Sequence, residues 1–153
     1  MNGQTQHCTP PISHGLEAGS TPNGIVVLFG RLLFVSIFLR TGPNLFSTQT
    51  ISYVASQGVP FASFAVPIAG ALALAGGLSV LLGFRAKIGA SLIAPLFLIP
   101  VSLMMHKFWT VHEAGMAQMQ MIMFMKNLAI LGGALLISQF GAGPMSLDAR
   151  RSR

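Results

Sequence analysis

The amino-acid sequence predicts an all-α membrane protein, a four-helix transmembrane bundle. Three observations carry that reading. Of 153 residues, 52% are hydrophobic and only 8% are charged, against about 25% charged in an ordinary soluble domain. A soluble fold so poor in charge has too little polar surface to face water, so the bilayer is the expected solvent. The apolar residues also gather into four continuous runs separated by short polar stretches. None of the runs alternates with a period of two. That removes a barrel and leaves helices, the other structure that satisfies its own backbone in lipid.

The first run spans about Ile25 to Leu39, "IVVLFGRLLFVSIFL", and extends through Phe46 past a Gly42–Pro43 break. The second is Phe61 to Leu82, the third Ile88 to Met105, and the fourth about Met119 to Phe140. A helix needs about 20 residues to cross the hydrocarbon core, within a range of about 17 to 25. The runs meet that length when the first includes its broken end. The second run carries Ala69, Gly70, Ala73, Gly76 and Gly77, and the fourth carries Gly132, Gly133 and Ala134. Small residues let helix backbones approach closely, which is how helices hold together in lipid. Pro95 should kink the third helix.

Between the first two helices lies "STQTISYVASQGVP". Ile51, Val54 and Ala55 fall on one side at helical spacing, which predicts a short interfacial helix. Pro60 suits the first turn of the helix that follows. The domain organisation is then a disordered polar N-terminal tail over 1–24, a four-helix membrane domain over 25–145, and a basic C-terminal tail over 146–153. The N-terminal tail includes "CTPPISHG". It lacks the basic start and apolar run of a signal peptide, and its His7 and His14 are expected to be solvated. Cys8 is the only cysteine, so an intramolecular disulfide is ruled out.

With four spans, both termini and the loop between helices two and three share one side. That side holds Arg85, Lys87, Arg150, Arg151 and Arg153, whereas the other loop holds Lys107 beside Glu113. The excess of Lys and Arg predicts that both termini are cytoplasmic. The net charge of +6 does not imply nucleic acid, because the cations are not clustered with aromatics on a soluble face.

Side chains able to carry chemistry are few. Met116, Met119, Met121, Met123 and Met125, with His106 and His112 nearby, have the softness for Cu(I). Spacings of two, however, send successive side chains to different faces of a helix, and Met is a common apolar filler. No haem or metal site is evident. In "HKFW", Lys107 and Trp109 read as interfacial anchors. His106 reads either as part of that anchor or as a proton donor or acceptor at the mouth of a cavity.

Two cations lie within the spans. Arg31 is six residues into the first run and Lys126 seven into the fourth, each about 10 Å deep at 1.5 Å per residue and from opposite sides. Each costs at least about 2.5–3.5 kcal/mol at mid-bilayer. Lys126 can lower that cost by reaching toward the surface. The spans contain no Asp or Glu, so the expected partner of Arg31 is Asp148, folded back after the Gly141–Pro144 turn into a structural Arg31–Asp148 pair.

These strings also carry a likeness. "FGRLLF", "FLRTGPNLF", "GVP", "AGGLSVLLGFRAK", "HKFW" and "FMKNLAILGGALL" followed by "FGAGPMSLD" resemble the DoxX family of small bacterial membrane proteins over nearly the whole chain after the tail. The resemblance implies a multi-pass protein of the cell inner membrane. It also implies an accessory or membrane subunit of a quinone-linked oxidoreductase system, with a quinone as cofactor and an oxidoreductase as partner subunit. On that reading Arg31, His106, Lys126 and Asn127 are the ligand-binding or proton-relay candidates. Two departures stand out. Ala73 occupies a position where many such relatives carry Glu, and Asn44 one where many carry Lys, so direct proton-coupled catalysis is less expected here. The alternatives are a non-enzymatic binding or transport module for a lipid or small hydrophobic molecule, and a structural membrane factor.

Overall fold

The computed structural model describes residues 23–151, which are helical nearly throughout and contain no strand. The predicted N-terminal tail, with His7, Cys8 and His14, lies almost wholly outside the described residues.

The first span is helix α1 (Gly24–Thr41) continued by a 3₁₀ segment, Gly42–Phe46. The Asn23 side chain accepts a hydrogen bond from Ile25 N–H at 3.1 Å and caps its start. Arg31, Val35, Phe38 and then Gly42 are buried, a spacing of four, three and four that marks one helix face. The short helix expected next is α2 (Thr48–Ser56), capped by Ser47, whose hydroxyl accepts from Thr50 N–H at 3.2 Å.

The second span is α3 (Ala62–Leu82). Its cap is Phe61, held at φ +53°. Pro60 therefore belongs to the turn before the helix, not to the first turn where the sequence placed it. The third span is α4 (Ala86–Ile93), a π-helical turn (Ala94–Leu98), and α5 (Ile99–Met105). Here the expected Pro95 kink takes a specific form. Proline has no N–H for the ordinary ladder, and Ile99 N–H donates five residues back, to Ala94 O, as in a π-bulge. A 3₁₀ turn, Phe108–Thr110, leads to the fourth span, α6 (Ala114–Phe140). That helix starts five residues before the predicted Met119 because Glu113 caps it, accepting from Gly115 N–H at 2.8 Å and Met116 N–H at 2.6 Å. A short helix, α7 (Leu147–Arg151), follows. Among the described residues, four helices are thus long and apolar enough to cross a membrane.

α3 is the hub. A Cβ on Gly76 would stand 2.6 Å from Ile93 of α4, and one on Gly89 would stand 2.7 Å from the Ser79 hydroxyl. The two backbones therefore meet where neither tolerates a side chain, the close approach that small residues permit. Ala73, fully buried, joins Phe38, Ile93, Ala94, Phe97, Leu98 and Ala134 in the main core. Outside it, Phe29, Phe64 and Leu136 are 61%, 73% and 61% exposed, an outer face suited to lipid rather than water.

The two ends of the bundle differ. Gly24 lies against Met145, and the Lys87 stem lies against Gly141. The start of α1, the α3–α4 turn and the α6–α7 turn therefore share one end, which we call the basic end. α2 and the loop carrying His106 and Trp109 lie at the other, the aromatic end.

Candidate functional site

The half of the bundle toward the aromatic end contains a cavity of about 480 Å³. One wall is α3, through Ala65, Val66, Ala69 and Leu72, positions at helical spacing. The facing wall is the π turn and α5, through Leu96, Phe97, Pro100 and Val101. Val54 and Val59 close it from the α2 side, and Thr41 and Leu45 close it from the first span. The local sequence explains the space. Two alanines on α3 face a segment whose ladder is broken by Pro95 and Pro100, and the first span changes from α to 3₁₀ winding at the same level. Thr41 supplies the only hydroxyl among the lining side chains, and no charged side chain lines the cavity.

The residues singled out from sequence do not converge on this space. His106 directly follows Met105, which lines the cavity, but its ring turns to α6: Nδ1 lies 2.8 Å from Gln120 Oε1. An amide oxygen only accepts, so Nδ1 is the donor in this bond. This bond also sets the level of α6. The end of the third span is matched to Gln120. Lys126 lies six residues beyond Gln120, about 9 Å further along α6 at 1.5 Å per residue. Its ammonium reaches back to Met123 Sδ at 3.3 Å. Long helical side chains lean toward the N-terminus, which here is the aromatic end, so Lys126 has the geometry of a snorkelling cation. Asn127, its neighbour, turns inward and is 7% exposed. It lies on the face of α6 that carries Ile130, Leu131 and Ala134 into the core.

Trp109 is half exposed and makes an edge-on cluster with Phe108 and Phe124, ring centroids 5.1 to 6.0 Å apart. Lys107 holds the turn through its carbonyl, which accepts from Thr110 N–H and its hydroxyl at 3.0 and 2.9 Å. Met116, Met119, Met121 and Met125 are about half exposed on α6.

The expected Arg31–Asp148 pair is corrected by the structure. Arg31 is buried, 4% exposed, and its Nη2 donates to Met145 O at 2.8 Å. Its Nε and Nη1 have no hydrogen-bond partner among the described residues. Asp148 instead caps α4: Oδ1 accepts from Arg85 N–H at 2.9 Å and Oδ2 from Ala86 N–H at 3.1 Å. Its own N–H donates to Gly83 O at 2.8 Å, at the end of α3. The free amides of a helix start compete well for a carboxylate, and they took the one that sequence reasoning gave to the arginine. Gly83, at φ +65°, completes the arrangement: a Cβ there would lie 2.5 Å from Arg31 Nη1 and collide with Ser146.

The sequence pointed to a cavity mouth at His106 but not to the apolar side chains that line the space. The signal for it was in the helix breakers, the Gly42–Pro43 break and the Pro95–Pro100 pair, which interrupt two spans at one level.

Comparison with known proteins fixes the family. The model of the SURF4 family matches residues 36–153. The chain is 32% identical over 124 residues to Inner membrane protein YqjF of Escherichia coli (strain K12), covering 80% of this chain and 88% of that one. It is 30% identical over 128 residues to Inner membrane protein YphA of the same organism, covering 82% and 90%. No solved structure matches. The resemblance to the DoxX family is thereby corrected, since the matching model takes in the strings from "FLRTGPNLF" to "FGAGPMSLD". Those strings combine small residues at helix crossings with a glycine turn, and both are demands of bundle packing as much as marks of one family. The expectation of a quinone-linked oxidoreductase and its partner subunit rested on that resemblance and loses its basis. The chain is an integral, multi-pass inner-membrane protein belonging to the SURF4 family.

Proposed function

We propose that this protein is a binding or transport module for a lipid chain or another small hydrophobic molecule, held in the cavity between α3 and α5. The observation that carries the reading is the lining: apolar side chains with a single hydroxyl, at about 480 Å³, within the usual 300–1,000 Å³ of small-molecule sites. A charged ligand group would find no counter-charge there. An alkyl or isoprenoid chain would find continuous apolar contact, worth about 0.8 kcal/mol per buried methylene when it comes from water. Thr41 would hydrogen-bond a neutral oxygen at the ligand's polar end. His106, Lys126 and Asn127 act in this reading as supports of the α5–α6 rim rather than as ligand contacts.

The orientation that fits this reading puts the basic end at the cytoplasm, because Arg85, Lys87, Arg150 and Arg151 outnumber the cations of the opposite loop. The cavity then lies in the outer half of the bilayer.

A fluorescent fatty acyl probe titrated into the detergent-solubilised protein tests the proposal. Saturable binding should weaken at least tenfold in Ala69→Phe, which fills the cavity, with helix content kept. Equal binding by parent and variant would place any ligand elsewhere.

A further inference from the structure

At the basic end, the start of α4 and the α6–α7 turn border an open hollow of about 680 Å³, separate from the apolar cavity. Arg85, Lys87 and Asp148 line it together with the Gly141–Gly143 backbone and Ser146. Its charge balance is lopsided. Asp148 is the single acid at this end among the described residues, and both of its oxygens already accept amide N–H bonds from Arg85 and Ala86 at 2.9 and 3.1 Å. The cations have no such partner. The Arg85 guanidinium rests 5.9 Å over the Phe84 ring, shared with Arg151 at 5.1 Å. The Lys87 stem crosses Gly141, where a Cβ would stand 3.3 Å from its Cε. Arg31 lies behind the Ser146 wall, 4% exposed, with Nε and Nη1 unpartnered.

The rim shows what shape of ligand fits. Phe140 and Ile88, both lining residues, are 80% and 54% exposed. They lie at the ends of two spans, so the hollow opens sideways at the level where headgroups meet chains. Its ligand must therefore be anionic at one end and apolar at the other.

We propose that this hollow seats the phosphate of an anionic phospholipid. Arg85 and Lys87 contact the phosphate, and the acyl chains run down past Ile88 and Phe140. Arg31 does not touch the lipid. Its unneutralised charge in a low-dielectric wall raises the positive potential of the seat, which gives this buried cation a role that no acid partner supplies. The claim is independent of the apolar cavity.

The test uses the full chain in detergent, titrated with phosphatidylglycerol, phosphatidylcholine or inorganic phosphate, and read by thermal shift and native mass spectrometry. Phosphatidylglycerol should raise the melting temperature by several degrees and be retained as a bound lipid, while phosphatidylcholine and millimolar phosphate should not. Arg85→Gln/Lys87→Gln should lower phosphatidylglycerol affinity at least tenfold, and Arg150→Gln/Arg151→Gln, outside the hollow, should leave it within about twofold. Should the first double variant fail to fold, Lys87→Gln alone should still lower the affinity severalfold. Equal binding of the two lipids, full competition by inorganic phosphate, or loss of preference only in the Arg150/Arg151 variant would each overturn the proposal.

Discussion

The two ends of this bundle solve opposite problems. At the basic end, hydrogen bonds tie separate elements together: two amides hold Asp148, Asp148 N–H holds Gly83 O, and Arg31 holds Met145 O. Toward the aromatic end, the helices are interrupted and a volume is left open. The basic end is tied by hydrogen bonds between elements, and the apolar cavity appears where the helical ladder is broken. In a lipid solvent, which gives no hydrophobic reward for closing one helix on another, such a cavity is a tolerable feature and a usable one.

This contrast can be broken at either end, and the largest effect is expected at Gly83. Gly83→Val adds a β-branched side chain at φ +65° against Arg31 and Ser146, and strain and steric conflict together should cost about 3 kcal/mol or more. Loss of the folded protein from membranes, scored by thermal melting of solubilised material, checks it. Next comes the same substitution made in the two regions. Ala73→Phe overpacks a fully buried core position and should cost about 1–3 kcal/mol, whereas Ala69→Phe enters open volume and should change stability by less than about 1 kcal/mol. If the two variants melt alike, the cavity is closed in the membrane and the contrast fails.

Asp148→Ala leaves two amides at the start of α4 and should cost about 2 kcal/mol. Hydrogen exchange should rise first at Arg85 and Ala86, the two amides it now caps. Exchange unchanged at those amides would contradict the capping role of Asp148. The smallest effect is expected at the His106–Gln120 bond, a partly buried contact at the rim. Gln120→Ala should cost about 1 kcal/mol, and a double-mutant cycle with His106→Ala should show coupling of similar size.

The spans were legible in the sequence because in lipid the helix is the only unit that satisfies its own backbone, so length and apolarity alone define it. The α2 helix was legible from Ile51 and Val54 on one side, and the disturbance of the third helix from Pro95. The partner of Asp148 was not. Choosing between a guanidinium and two helix-terminal amides depends on where the α6–α7 turn lands, a matter of tertiary geometry. The fourth helix's early start was hidden for a related reason. Glu113 reads as a loop charge until its carboxylate is seen accepting from Gly115 and Met116. The cavity lining was hidden because alanines, prolines and valines that enclose a space read no differently in sequence from those that pack a core. Its only written trace was the coincidence of helix breakers in two spans.

Photo-crosslinking can show whether the cavity between α3 and α5 receives an apolar chain. A diazirine-bearing fatty acyl analogue is equilibrated with the protein in native membranes, activated, and its attachment sites are mapped by peptide sequencing. Labels should concentrate around Ala69 and Val101 and be suppressed there by Ala69→Phe. Labels spread evenly over the outer faces of α1, α3 and α6, with none in the cavity, would contradict it.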